Sequence, residues 1–487
     1  MVFGIYCLNV SKLAIILAPT PELRYFTEKH LNTGLLTMKH LTLKLSAALI
    51  SSTFCSISIG SGFAIQEQSV TGLGRAFAGS AAVADDASTV FFNPAGLTQL
   101  NHSELAVGLH YISPQSDFTD DSSRLPVTLG GSPLTGGDGG DAGEDAIVPN
   151  LYYAQALNST TFFGIGINAP FGLVTDYNDN WQGRYHALRS DLKTVNINPS
   201  LAFKANDKLS LGFGISLQYI DLELSQAVDF GTVCAAAALG GLPGAAACAA
   251  PQGFDGKAKL EADDWSWGYN LGLLYQLTNA TRLGLTYRSK ISHHLKGDGE
   301  FRIPNNSAVQ GTATATGFSD GNIDGRVTLP ESASFAVHHQ LNNQISVAAD
   351  VSWTRWSRFV DLTINSDDSL RLNSSKEEDW ENTLRYAIGL DYQHDDKWTF
   401  RTGVAYDESP LPGVSRRTPR IPGNDRLWLS FGTSYQASEN LILDAGYTHL
   451  FINDPKINDV TDNGYVLSGE YEASVDILSV QARWLFI

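Results

Sequence analysis

From about residue 103 to its end the chain alternates apolar and polar residues over runs longer than the strands of most soluble domains. Leu209, Leu211, Phe213, Ile215, Leu217 and Tyr219 are separated by Ser210, Gly212, Gly214, Ser216 and Gln218, a period of two that suits extended backbone. Trp265 to Tyr275 and Ile345 to Trp353 read the same way. Such a strand offers one face to an apolar medium and the other to water or a polar filling. About fourteen segments carry the pattern, near 104–112, 150–157, 161–174, 192–204, 209–225, 263–277, 282–296, 325–341, 345–359, 383–393, 398–407, 426–436, 441–451 and 474–486. Short polar turns such as 158–160 and 342–344 alternate with long loops, as the periplasmic turns and outer loops of bacterial barrels do. Closure matters because lipid offers no partner to a free sheet edge. The pattern predicts an all-β fold: a transmembrane antiparallel β-barrel of about 14 strands over 103–487. A soluble sandwich or propeller accounts for neither the strand length nor the charges recurring opposite a continuous apolar face.

After residue 60 no apolar run reaches the roughly 18 residues that a membrane-crossing helix needs. The formal net charge of -18 argues against nucleic-acid binding, which relies on basic patches. The acidic run Asp138, Asp141, Glu144 and Asp145 reads as a solvated loop; the alternative is a site for divalent cations bridging to lipopolysaccharide. Arg288, Lys290, Asp350, Arg385, Asp391, Arg401, Asp444 and Arg483 fall on polar strand faces and read as a mutually paired filling of the lumen. In strict alternation Glu331 shares the lipid face with Val327, Leu329, Phe335 and Val337, where a charge is costly. A bulge at Pro330 turning Glu331 inward is therefore expected. In the last strand Leu478, Val480, Ala482, Trp484 and Phe486 share one face. An aromatic residue near the C-terminus resembles the signal read by the barrel-assembly machinery, although Ile487 follows Phe486 here.

Ahead of the barrel, Lys39, His40 and Lys44 precede a mostly apolar or small stretch, with Ser58 and Gly60 before a cut at Ser61. This reads as an export signal over 38–60. Met38 stands directly before it, so residues 1–37 are expected to be a start-site extension; an unusually long leader is the alternative. After such a cut only Cys234 and Cys248 remain. Two cysteines in an exported chain suggest a disulfide, worth about 3 kcal/mol if closure acts through chain entropy. Two unpaired thiols are the alternative.

Residues 61–102 do not alternate and are rich in Gly, Ala and Ser, with capping candidates at Asp85 and Asp86 and a turn at Asn93-Pro94. Small residues permit close packing, so the segment suits a plug inside the barrel; a periplasmic linker is the alternative. The stretches GLGRAFAG (with Arg75), ADDAS and Asn93-Pro94-Ala95 resemble the N-terminal hatch of the FadL-type long-chain fatty acid and hydrocarbon transporters. Val148-Pro149-Asn150, Leu329-Pro330-Glu331, Trp353 to Ser357 and Trp398 to Pro412 extend the resemblance over nearly the whole exported chain. It implies a monomeric 14-stranded barrel plugged by the hatch. Substrate would enter by a low-affinity groove among the outer loops and pass to a pocket lined partly by the exported chain's N-terminus. It would leave sideways through a gap made by an inward kink of the third strand. Here that strand contains Ala169, Pro170, Phe171 and Gly172. Proline cannot donate a ladder hydrogen bond and glycine tolerates unusual backbone angles, so pairing is expected to break there; a bulge without function is the alternative.

The resemblance puts Phe63 in the pocket and Lys376 where the family has a basic residue near the head group. The family's other basic position falls near Gln226, which is not basic; inward-facing Arg385 is a substitute. The function implied is passive uptake of long-chain fatty acids, with neutral aromatic hydrocarbons as the alternative. Neither a Gly-x-Ser-x-Gly motif with interpretable partners nor a phosphate loop or metal cluster is legible, so neither an enzyme nor a cofactor is expected. Expected partners are the hydrophobic ligand, outer-membrane lipid and lipopolysaccharide, and the barrel-assembly machinery.

Overall fold

The computed structural model describes residues 62–369 and 371–486. The export signal and start-site extension expected over residues 1–60 lie outside the described residues. Fourteen antiparallel barrel strands follow the chain order. The first six are β1 Ser103–Asp120, β2 Ala146–Ala156, β3 Thr161–Asn168 with Gly172–Asp176, β4 Arg189–Lys204, β5 Leu209–Asp229 and β6 Asp255–Gln276. Next come β7 Thr281–Arg288 with Ile291–Arg302, β8 Gly321–Leu329 with Ser332–Gln340, β9 Ile345–Thr354 with Asp361–Asn365 and β10 Ser374–Glu377 with Thr383–Gln393. The last four are β11 Trp398–Asp407, β12 Arg426–Ser438, β13 Leu441–Ile452 and β14 Val466–Phe486. A short arm, Lys456–Val460, pairs with the outer end of β14. β14 closes the barrel on β1, from Ser103 opposite Phe486 to Asp120 opposite Gly469.

Four of the short turns share one chemistry. Asn158, Asn206, Asn342 and Asp395 each accept, through Oδ1, the backbone N–H groups two and three residues on, an Asx geometry that reverses the chain in few residues. Several strands outrun their apolar alternation. Above Tyr219 the outward residues Asp221 and Glu223 are polar, yet the ladder continues opposite Asp263 and Glu261, so β5 and β6 project beyond the bilayer as a rigid outer wall.

Three short helices, α1 Val70–Leu73, α2 Ser80–Val83 and α3 Thr89–Phe92, and a 3-10 turn at Pro94–Gln99 sit in the lumen. They fit because wall glycines let backbone approach backbone: a Cβ at Gly403 would overlap the Arg75 carbonyl, and one at Gly432 would crowd Gly74. Asn93 joins hatch to wall, donating from Nδ2 to the Ala81 and Leu273 carbonyls while its Oδ1 accepts from Ala95 N. The inward charges fill the lumen, but only some of them pair with one another as expected; Arg288, Asp350 and Arg385 bond to neutral groups instead. Arg75 bridges Asp85 at 2.9 Å and Asp391 at 3.0 Å, Arg401 adds to Asp391, and Arg483 pairs with Asp444. Asp350 accepts from Gly79 N, and Arg288 donates to the Phe91 carbonyl.

Two expectations need correction. Lys290 does not face the lumen; it is exposed at the break in β7. Val327 and Leu329 face the interior, 3% and 0% exposed, because the break at Pro330 resets the alternation between them and outward Phe335. Glu331 is buried, but its carboxylate is held by Arg355 and Arg358 at 3.1 and 3.0 Å. Arg355 follows outward Trp353, so Glu331 is neutralised at the outer wall and not in the lumen. In the outer loops Cys234 and Cys248 are bonded to each other. The disulfide packs α4 (Phe230–Leu239) against α5 (Ser307–Ala315) through Phe230, Val309 and Ala313.

Candidate functional site

β3 leaves its partner at the predicted proline. Its pairing with β2 ends at Ile167 opposite Leu151, and the strand resumes at Gly172 against β4, meeting the β2 side again only above the gap, where Thr175 bridges Gly143 and Asp176 N donates to the Ala142 carbonyl. The groups freed at the break find other partners. Phe171 N donates to Thr194 Oγ1, which in turn donates to the Phe171 carbonyl. The N-terminal segment supplies the rest: Ile65 N donates to the Pro170 carbonyl at 2.9 Å, and Gly172 N donates to the Phe63 carbonyl at 3.0 Å. Gln68 Nε2 donates to the Ala169 carbonyl. Residues 63–65 thus act as a short strand bound to the kink from inside.

This pairing drives Phe63 into the apolar interior, where it is 1% exposed. Its ring lies 5.1 Å from Trp356, 5.3 Å from Phe359, 5.8 Å from Trp380 and 5.9 Å from Phe171. Leu192, Ile220 and Leu222 continue the cluster along the wall. Trp356 and Phe359 come from the break in β9 and Trp380 from the break in β10, so irregular strands supply the aromatic lining.

A polar rim borders the cluster. Trp380 Nε1 donates to Glu378 Oε2 at 3.1 Å, and burial pushes the Glu378 carboxyl up to about 7. Lys376 Nζ lies 2.6 Å from Asp459 Oδ1, and His186 Nδ1 lies 2.8 Å from the other oxygen. The loop between β11 and β12 adds Ile421 to the cluster and Arg420 to the rim. The Arg420 guanidinium donates to Gln226 Oε1 and Ser190 Oγ, both at 3.0 Å, and to the Arg189 and Ser225 carbonyls. It forms no ion pair among the described residues. Burial pulls it down to about 10 against the opposing pull of Asp459 and Glu378.

The structure therefore joins Phe63, the β3 kink and Lys376 to one interior. It separates Arg385, which sits on the spanning part of β10, donates to the Ala76 carbonyl at 2.7 Å and lies over the Trp428 ring. Arg420 and Glu378 are not legible in sequence. Arg416, Arg417 and Arg420 crowd one loop, which reads as solvated charge until the loop folds inward. That a cation stands beside Gln226 after all follows from this fold.

A family model described as outer membrane protein transport protein (OMPP1/FadL/TodX) matches residues 51–486. The long-chain fatty acid transport protein of Escherichia coli O6:H1 is 32% identical over 452 residues, covering 91% of this chain and 96% of that one. The crystal structure of a Pseudomonas aeruginosa FadL homologue superposes with TM-score 0.79 at 28% identity, covering 88% of this chain and 100% of that one. The Ralstonia pickettii toluene transporter TbuX shares the fold, with TM-score 0.60 at 22% identity, covering 87% and 99%.

Proposed function

Since the chain belongs to the OMPP1/FadL/TodX family of outer-membrane transport proteins, and is thus a channel for hydrophobic substrates, we propose that its cargo is a long-chain fatty acid carried as the anion. The alkyl chain lies in the Phe63 cluster, in place of side chains that now fill it, and the carboxylate meets Arg420, with Lys376 at the rim. One observation carries this reading: a half-buried guanidinium bonded only to neutral acceptors borders an aromatic, apolar interior. Burying a cation is costly unless an anion meets it, and a fatty acid brings that anion with its own apolar tail. A neutral hydrocarbon brings none.

Release follows from the same contacts. Phe63 and the kink share two backbone hydrogen bonds, so a ligand that displaces Phe63 also loosens the segment filling the β2–β3 gap, and the tail leaves sideways into the membrane. The ion pair of Lys376 with Asp459 favours a second reading, uptake of neutral aromatic hydrocarbons, because that cation is already neutralised. Binding of oleate and of toluene to the purified protein separates the two. Arg420→Gln is expected to weaken oleate binding by about ten- to hundred-fold, the worth of one charged hydrogen bond, and to leave toluene nearly unchanged. Equal loss for both ligands would make Arg420 a loop-folding residue, and unchanged oleate affinity would end the proposal.

A further inference from the structure

The breaks in β7, β8 and β9 gather cations on the outer wall. Exposed Lys290 stands at the first break, and Glu331 at the second holds both Arg355 and Arg358, which are 42% and 35% exposed. Arg326 is exposed on the outer segment of β8, opposite His294 of β7. Lys290 and Arg326 form no ion pair among the described residues. One carboxylate cannot neutralise two guanidiniums, and among the described residues Glu331 is the acid paired with any of these four cations. Asp324, the next acid along β8, lies opposite Lys296 and within 3.8 Å of His294. Elsewhere on the outer rim the sign reverses: Tyr111, Tyr406 and Tyr447 donate to Asp145, Asp425 and Asp476.

The height of the cations identifies what they meet. Beside and below them lies an outward aromatic band: Trp267, 68% exposed, stands beside the β7 break, Tyr269 and Tyr287 are in ring contact at its lower edge, and Trp353 precedes Arg355 on its strand. Aromatic belts mark the headgroup level of a bilayer. We propose that the β7–β9 face is a binding site for lipopolysaccharide, the phosphorylated glycolipid of the outer leaflet, and that Lys290, Arg326, Arg355 and Arg358 hold its phosphates. A soluble acidic partner would have to reach cations level with the lipid headgroups, whereas the glycolipid places its phosphates there when its acyl chains pack below the aromatic band. The site lies about five strands from the β3 break, which leaves the proposed exit clear of a bound headgroup.

The test measures lipopolysaccharide binding to the full-length protein in detergent, with Lys290→Gln/Arg326→Gln as the variant, because neither side chain supports a buried charge. Each surface cation contributes about five-fold to binding an anionic lipid, so the pair is expected to weaken binding by about 25-fold. Lys208→Gln/Lys397→Gln, at the opposite end of the barrel, is expected to change nothing. Lipopolysaccharide stripped of its phosphates is expected to bind like the variant, and phosphatidylglycerol vesicles to bind weakly to both proteins. Equal affinity of variant and parent, tight binding of the dephosphorylated lipid, or equal preference for phosphatidylglycerol would each overturn the proposal. A heat-dependent gel shift verifies the fold of each variant, and if the double variant does not fold, Lys290→Gln alone carries the comparison with an expected five-fold loss.

Discussion

Glu378 and Arg420 set the charge that an incoming head group meets, and one of them titrates near neutrality. The Glu378 carboxyl is pushed up to about 7 by burial. Above that pH it is mostly ionised and competes with a ligand for Arg420; below it, the neutral acid leaves the guanidinium to the ligand. Affinity for an anion is therefore expected to rise as pH falls from about 8 to about 6. A long-chain alkyl sulfonate, ionised throughout that range, keeps the ligand's own titration out of the measurement. Calorimetry across the range is expected to give a slope in the parent protein and a flat profile in Glu378→Gln; a slope that persists in the variant would assign the titration elsewhere. Single residues differed in how far sequence revealed them. Phe63, an apolar residue ahead of the hatch helices, was put in the interior by the family resemblance, and the structure buries it there. Lys376 was legible by position, but not its bond to Asp459, which lies 83 residues away. Arg420 was hidden because nothing local separates a loop arginine that folds inward from one that stays in water.

At the level of elements, alternation revealed the strands because lipid and lumen impose opposite polarity on successive residues. It was weakest at the interruptions. Pro170 and Pro330 announce two of the five breaks, since each removes a ladder donor. The breaks in β7, β9 and β10 contain no proline. They are held by side chains reaching across the wall, Ser289 Oγ accepting from Tyr269 N and Asn382 Oδ1 from Ser357 N, and such distant bonds leave no periodic mark. The β3 break is where element and transport meet. Replacing Pro170 and Gly172 with Val restores a donor and adds two strand-favouring residues, which should extend pairing toward β2 and close the gap. Fatty acid uptake by cells carrying this double variant is expected to fall while the amount at the surface stays level. Undiminished uptake would reduce the kink to a structural bulge and send the exit elsewhere.

For the molecule as a whole, the question is what keeps a separate helical segment seated in a barrel that must remain closed to water. Close backbone contact across the wall glycines seats it by shape, and charge adds a second hold. The specific hold is electrostatic: Arg75 of the hatch and Arg401 of the wall share Asp85 of the hatch and Asp391 of the wall, two cations against two anions with Arg75 3% exposed. Arg75→Ala would leave both carboxylates on the single guanidinium of Arg401. Breaking a buried pair from one side costs about 3 to 5 kcal/mol, and the loss falls on the hatch–wall contact while the closed strand ladder of the barrel stays intact. The variant is therefore expected to lose the plug and keep the wall. In planar bilayers the parent protein should pass little ion current, and Arg75→Ala should show larger, fluctuating conductance. Both proteins should still show the same heat-dependent shift on gels. Arg75→Lys, which keeps the charge but offers fewer donors, should fall between them. If Arg75→Ala conducts no more than the parent, the hatch is held by its packing and by the Asn93 bonds to the wall, and the ion pairs only fill the lumen.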